Sequence, residues 1–317
     1  MNHKIVLSLF SFILLFSQNL SATIRILTFH CNHAEFLEYQ SKALEKFLLD
    51  EYELIVFNDG VNEKEQDAIQ KICNQYGVKH VRYEQSWHEM NSLNEQVRTT
   101  LSTPHGNDFF CFPTNDGSPD IKKIYENVSI RHCHLIQYAL DHYGYDHDDV
   151  VVIMDGDVFA IQPISIRALL AEVPIVGIDS EFRDKHYLWV PFIAFDPKRL
   201  PNLQDLKFHV DLIDGIVCDT GSHSYHYLKN NPEVNYRFYP RCHDSDFFPY
   251  DAVTFSKFGL KSLANSSINW PTPMEFYVDY HFIHFCGGSG LHPLRKFFNI
   301  ANLMECILEQ KIPVITQ

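Results

Sequence analysis

Asp155 and Asp157 stand on either side of Gly156, directly after Val150-Val151-Val152-Ile153-Met154. Five successive apolar residues predict a strand buried on both faces, and so central in a sheet. In open α/β sheets, ligands gather outside the carboxyl ends of the strands. Two carboxylates one residue apart at such an end can hold a hard divalent cation, directly or through water, and leave positions for phosphate oxygens. Gly156 between them permits close approach of the backbone to a ligand. The bland alternative is a turn in which one aspartate caps the next segment.

His284 is the second candidate. It lies in Phe282-Ile283-His284-Phe285-Cys286-Gly287-Gly288-Ser289-Gly290, which reads as a strand running into a glycine-rich turn. A lone histidine is more often a satisfied core or surface residue than a ligand. Here, however, the glycines offer backbone N–H groups to an anion, and the imidazole can complete a metal shell begun by the two aspartates. Arg295 and Lys296 follow at the start of a helix, where phosphate charge is also favoured. His281 competes as a ligand, but its spacing sets it on the other face of the strand.

These residues need elements to position them. From Ile24 the chain alternates strand and helix. Ile24 to Phe29 is a short apolar strand that ends in His30, Cys31, Asn32 and His33. Ala34 to Leu49 places Phe36, Ala43 and Phe47 on one helical stripe beside Leu37, Leu44 and Leu48. Glu53 to Phe57 is a second strand, closed by Asn58-Asp59-Gly60. A helix from Asn62 to Tyr76, apolar at Ala68, Ile69, Ile72 and Tyr76, stops at Gly77 in a C-terminal cap position. Val78 to Tyr83 is a third strand. Ser86 to Asp120 is irregular and is expected to border a site. A helix from about Asn127 to Tyr143 feeds the Asp-Gly-Asp strand. Beyond it come shorter strands, Pro174 to Ile178 and Leu188 to Phe195, then a helix through Tyr225 to Lys229 and a closing helix from about Leu294 to Gln310. The fold class predicted is α/β, with a mostly parallel, Rossmann-like central sheet and helices on both faces.

Together these segments resemble the GT-A type of metal-dependent glycosyltransferase, over nearly everything after Ala22. The opening strand and helix, from Ile24 through Asn32 to Leu37, and the segment Glu53 to Asp59 are similar to the donor side of that fold. The stretch Ile153 to Phe159 is similar to the family's Asp-x-Asp signature, and the His284 turn to its late His-x-x-Gly element. The resemblance implies a nucleotide-sugar donor and a glycan, lipid or protein acceptor. It implies Mn2+ or Mg2+ held by Asp155, Asp157 and His284. It implies donor contacts from Asn32, Asp59, Ser129, Arg131, His132, Gly156, Gly287, Gly288 and Ser289. Asp219 stands where the family has an acidic residue near the acceptor, and an acceptor hydroxyl needs such a base if the mechanism inverts. The plain readings are that Asp219 caps the following helix and that Ser129 caps its own. Asp244 and Asp246 are fallback bases. The chain departs from the family at Gly290-Leu291-His292-Pro293, where relatives often carry tryptophan.

Composition narrows the partners. Lys and Arg number 26 against 40 Asp and Glu, a formal charge of -14, so a nucleic acid would meet a repulsive field. The 8 cysteines include no C-x-x-C pair, which indicates neither a disulfide framework nor a cysteine-rich zinc site. Lys4, the apolar run Ile5 to Phe16 and the small residues Ser21 and Ala22 read as a signal peptide over residues 1–22. At about a dozen residues the run is too short to span a bilayer; a buried strand or an uncleaved anchor is the alternative. The expectation is a lumenal or secreted protein with no stable membrane span after signal removal. It would be a single domain over 23–317, with a donor half to about 160 and an acceptor half beyond. Two other functions compete. One is an exported binding protein that keeps the fold without turnover. The other is a phosphohydrolase in which Asp155 attacks phosphate and Asp157 serves as acid/base, although such enzymes carry the motif near the start of the domain rather than centrally.

Overall fold

The computed structural model describes residues 23–60, 62–83, 128–243, 274–279, 281–285, 301, 304–305 and 307–309. The segment 1–22, the stretch Ser86 to Asp120, Asp244, Asp246, Gly287, Gly288, Ser289, Arg295, Lys296 and the side chain of Ser129 lie outside the described residues. Among those described, no helix is long and apolar enough to cross a membrane.

The expected α/β architecture is present. Strands β1 (Ile24–His30), β2 (Tyr52–Asn58), β3 (Lys79–Arg82), β4 (Val151–Asp155), β6 (Ile175–Phe182), β7 (Lys185–Phe195) and β10 (Tyr236–Tyr239) form one sheet in the order β10-β6-β7-β4-β1-β2-β3. β1 pairs in parallel with both β2 and β4, while β7 runs antiparallel between β4 and β6. The apolar run of β4 is buried on both faces, as its composition predicts. Val152 and Met154 belong to one hydrophobic core, and Val151 and Ile153 to the other. Helices α1 (Glu35–Phe47) and α2 (Glu63–Tyr76) cover the first face, α3 (Val128–Ala139) the second. Short helix α4 (Ile166–Leu169) follows β5 (Val158–Ala160), and α5 (Ser224–Asn230) follows the hairpin of β8 (Asp211–Ile213) and β9 (Ile216–Cys218).

A second, antiparallel sheet matters more to the site. Its order is β11 (Cys242–His243), β12 (Met274–Tyr277), β13 (Phe282–Phe285), β5. β5 begins just after Asp157, and β13 pairs with it so that His284 lies opposite Val158. The Phe285 N–H also donates to the Asp157 carbonyl at 3.1 Å. Main-chain pairing therefore carries a late segment of the chain to the end of the central strand.

Several local expectations hold and a few need correction. Asn62 accepts from the Glu65 N–H, and Gly77 ends α2 at φ 65. On α2 the buried residues are Ile69 and Cys73, while Tyr76 is only half-buried, because the helix rests on the sheet through a narrow stripe. The helix before β4 stops its α turns at Ala139 and continues as a π turn over Leu140–Gly144, closed by the Tyr145 N–H to the Leu140 carbonyl. β6 and β7 run longer than expected and meet in a hairpin. Its turn residues, Arg183 and Asp184, sit at φ 49 and 61, a geometry usually signalled by Asn or Gly.

Candidate functional site

The carboxyl ends of β1, β2 and β4 lie side by side, which brings His30, Asn58 and Asp155 to one edge of the sheet. The Asp59 N–H donates to the His30 carbonyl at 2.9 Å, so the loop after β2 is tied to the end of β1. At this edge Asp155, Asp157 and His284 each offer one ligand atom, and the three atoms lie within 4.8 Å of one another. Asp157 and His284 are buried, and Asp155 is partly open. Nε2 of His284 stands 3.3 Å from Oδ1 of Asp157. Two carboxylate oxygens and an imidazole nitrogen are a fitting donor set for a divalent cation.

The Asp-Gly-Asp turn is held from below. Gln40 is a polar residue in the middle of the apolar stripe of α1, and its Nε2 donates to the carbonyls of Asp155 and Val158 at 2.8 and 3.0 Å. Its Oε1 accepts from Thr28 Oγ1 at 2.8 Å and lies 3.2 Å from Nε2 of His30. Burial of His30 holds its pKa down at about 4, against the upward pulls of Gln40, Asp157 and Asp155. Gly156 packs on this same layer. A Cβ there would lie 2.5 Å from the Phe29 carbonyl oxygen and 2.7 Å from His30 Nδ1. The room that glycine leaves is thus taken up by β1 itself.

Helix α3 presents two of its residues to this edge. His132 Nε2 lies 2.8 Å from Asp155 Oδ1, and Arg131 Nη2 lies 2.6 Å from Asp59 Oδ1. Burial of His132 opposes its charge, but Asp155 outweighs this through charge and hydrogen bond, aided by Asp157 and Asp59, and raises the pKa. Four residues expected to serve the donor or metal are therefore joined in two pairs, Asp59 with Arg131 and His132 with Asp155. Asn32 lies in the bend after β1, half-buried. His281 precedes β13 with Nδ1 2.8 Å from the Val278 carbonyl, away from the cluster.

Asp219 is not the cap of α5, which begins at Ser224 behind His223. Its Oδ1 accepts from the Thr220 N–H at 2.7 Å and from Thr220 Oγ1 at 3.2 Å. It is half-buried and near enough to Tyr187 on β7 and Cys133 on α3 to help raise the pKa of each, in both cases after burial as the main cause.

Behind His284, residues Glu275, Tyr277 and Trp189 form a buried to half-buried wall. None of these, nor Gln40, stands out by motif. Gln40 alone leaves a trace, as a polar residue on a helix stripe otherwise bound for the core.

No family model matches the chain, and no curated protein matches it. Among solved structures it is similar to the galactosyltransferase LgtC in complex with donor and acceptor sugar analogs, at 12% identity and TM-score 0.39, covering 89% of this chain and 95% of that one. An active-site mutant of LgtC aligns at 15% identity and TM-score 0.33 over 55% of this chain and 57% of that one. The apo-form glycosyltransferase GlyE of Streptococcus pneumoniae TIGR4 aligns at 12% identity and TM-score 0.38 over 90% and 62%.

Proposed function

We propose that this chain is a metal-dependent glycosyltransferase that moves a sugar from a nucleotide-sugar donor to an acceptor hydroxyl on a glycan, lipid or protein. The convergence of Asp155, Asp157 and His284 at the carboxyl edge of a mostly parallel sheet carries this reading. The donor set suits Mn2+, and also Mg2+. When bound, such an ion supplies positive charge against the diphosphate leaving group.

The remaining roles belong to the chain itself. His132 orients the Asp155 carboxylate. The Asp59–Arg131 pair borders the same edge and offers hydrogen-bonding groups to a nucleotide. Asp219 is the group we assign to take the acceptor proton if transfer inverts configuration. The glycine-rich turn of Gly287, Gly288 and Ser289 would add backbone donors to the diphosphate. The signal-like residues 1–22 favour action in the secretory pathway or outside the cytoplasm.

The test is a screen of nucleotide sugars for hydrolysis and transfer, with Mn2+ present and absent. Metal-dependent turnover of one donor is the expected result, lost in His284→Ala and kept in His281→Ala. Hydrolysis of phosphomonoesters indifferent to both histidines would overturn the proposal in favour of an aspartate-nucleophile phosphohydrolase. Metal-dependent nucleotide binding without any turnover would replace it with a binding protein.

A further inference from the structure

His284 is held from behind by two buried side chains of the neighbouring strand. Glu275 is its cross-strand partner in the β12–β13 register, and Tyr277 lies two residues further along β12, on the same face. Tyr277 Oη is 2.5 Å from Nδ1 of His284 and 2.5 Å from Oε2 of Glu275. Oε2 is itself 3.3 Å from Nδ1, and Arg241 Nη1 lies 4.0 Å from the other carboxylate oxygen. The indole of Trp189 packs edge-on at 5.8 Å from the His284 ring, with the Arg241 guanidinium 4.5 Å above the indole centroid.

Tyr277, Glu275 and the His284 ring share few hydrogens among several acceptors. A phenol carries one hydrogen. Donated to Glu275, it leaves the Tyr277 oxygen with only lone pairs to offer Nδ1. The Tyr277 oxygen and Glu275 Oε2 then both face Nδ1 as acceptors, an arrangement that favours a ring hydrogen on Nδ1 and directs Nε2 toward the aspartates. Nε2 is the atom that faces Asp157 Oδ1 at 3.3 Å. Nε2 and the aspartate oxygens thus point at one place, where their separations, all within 4.8 Å, suit a bound cation.

We propose that Tyr277 and Glu275 are positioning residues that fix the tautomer and ring orientation of His284, so that Nε2 is presented as a preformed ligand beside Asp155 and Asp157. This rests on the metal reading above. Residues that orient a ligand histidine change metal affinity by roughly ten- to a hundredfold when removed. A Tyr277 and Glu275 that merely satisfied each other inside the β12–β13 pair would change only stability.

The full chain is titrated with Mn2+ alone and followed by electron paramagnetic resonance, with the nitrogen-14 modulation of bound Mn2+ recorded by pulsed measurement. Wild type is expected to show nitrogen coupling that His284→Ala abolishes. Tyr277→Phe, which keeps the ring and its packing, is expected to weaken Mn2+ binding roughly tenfold and reduce the modulation. Glu275→Gln is expected to do at least as much; if it does not fold, Tyr277→Phe decides alone. A folded Tyr277→Phe with wild-type Mn2+ affinity and modulation overturns the proposal and leaves the metal reading intact. Wild-type protein that binds no Mn2+ overturns both.

Discussion

Gln40 Nε2 donates to the Asp155 carbonyl at 2.8 Å, so a helix near the start of the chain directly supports the turn that carries the metal-ligand candidates. The same amide reaches the Val158 carbonyl beyond the turn. Gln40→Ala withdraws both donors from a buried place. Each lost buried hydrogen bond costs about 1–3 kcal/mol, so unfolding in urea should register a loss of several kcal/mol. Lys42→Ala, which removes an exposed i,i+4 pair with Glu38, should change stability by less than about 0.5 kcal/mol. Equal effects from the two would deny Gln40 its supporting role.

Gly156→Ala should damage the site by steric force. The added methyl would meet main-chain oxygen 2.5 Å away on β1, and backbone cannot swing aside as a flexible side chain does. A cost of about 1–3 kcal/mol is expected for such overpacking, together with weaker Mn2+ binding as Asp155 and Asp157 shift. Thermal melts and Mn2+ titrations of the variant check both effects. Unchanged values would mean that the turn has more room than its geometry shows.

Asp157→Asn should abolish Mn2+ binding and sugar transfer yet leave the melting temperature within about 4 °C, the shift of roughly 1–2 kcal/mol in a protein of this size. The carboxylate faces His284 rather than packing in the hydrophobic core, while the main-chain bond from Phe285 to residue 157 survives the change. A collapse of folding with no metal present would instead identify Asp157 as a structural cap.

Stability should fall in acid through His30. The folded protein keeps this histidine neutral down to about pH 4, whereas the unfolded chain takes up a proton below its ordinary value of 6.5. Between these limits the unfolded state binds more protons, so stability is present above pH 6.5 and is lost as pH falls toward 4. From pH 7 to pH 5 the loss is about 2 kcal/mol. Urea denaturation at the two pH values, with chelator present, should show it in wild type and show nearly one proton less of pH dependence in His30→Gln. An identical pH dependence in the variant would refute the assignment.

The apolar run ending in Asp155 announced its own place, because five consecutive apolar residues, four of them β-branched, fit a strand covered on both sides, and its Asp-Gly-Asp ending then falls at the ligand edge. Periodicity likewise located α1 and β1 to within a residue or two, since those elements draw their burial pattern from local spacing. The partners of the site were decided elsewhere. His284 meets Asp157 because β13 pairs with β5 in one register out of several that sequence alone permits. Arg131 reaches Asp59 and His132 reaches Asp155 only once α3 lies across the ends of β2 and β4. Tyr277, Glu275 and Gln40 carry no motif, because a residue that acts by orienting another needs only the right distance and hydrogen-bonding group. Local spacing is a property of the chain; distance between segments far apart along it is a property of the packed sheet and helices, and that packing assembled this site.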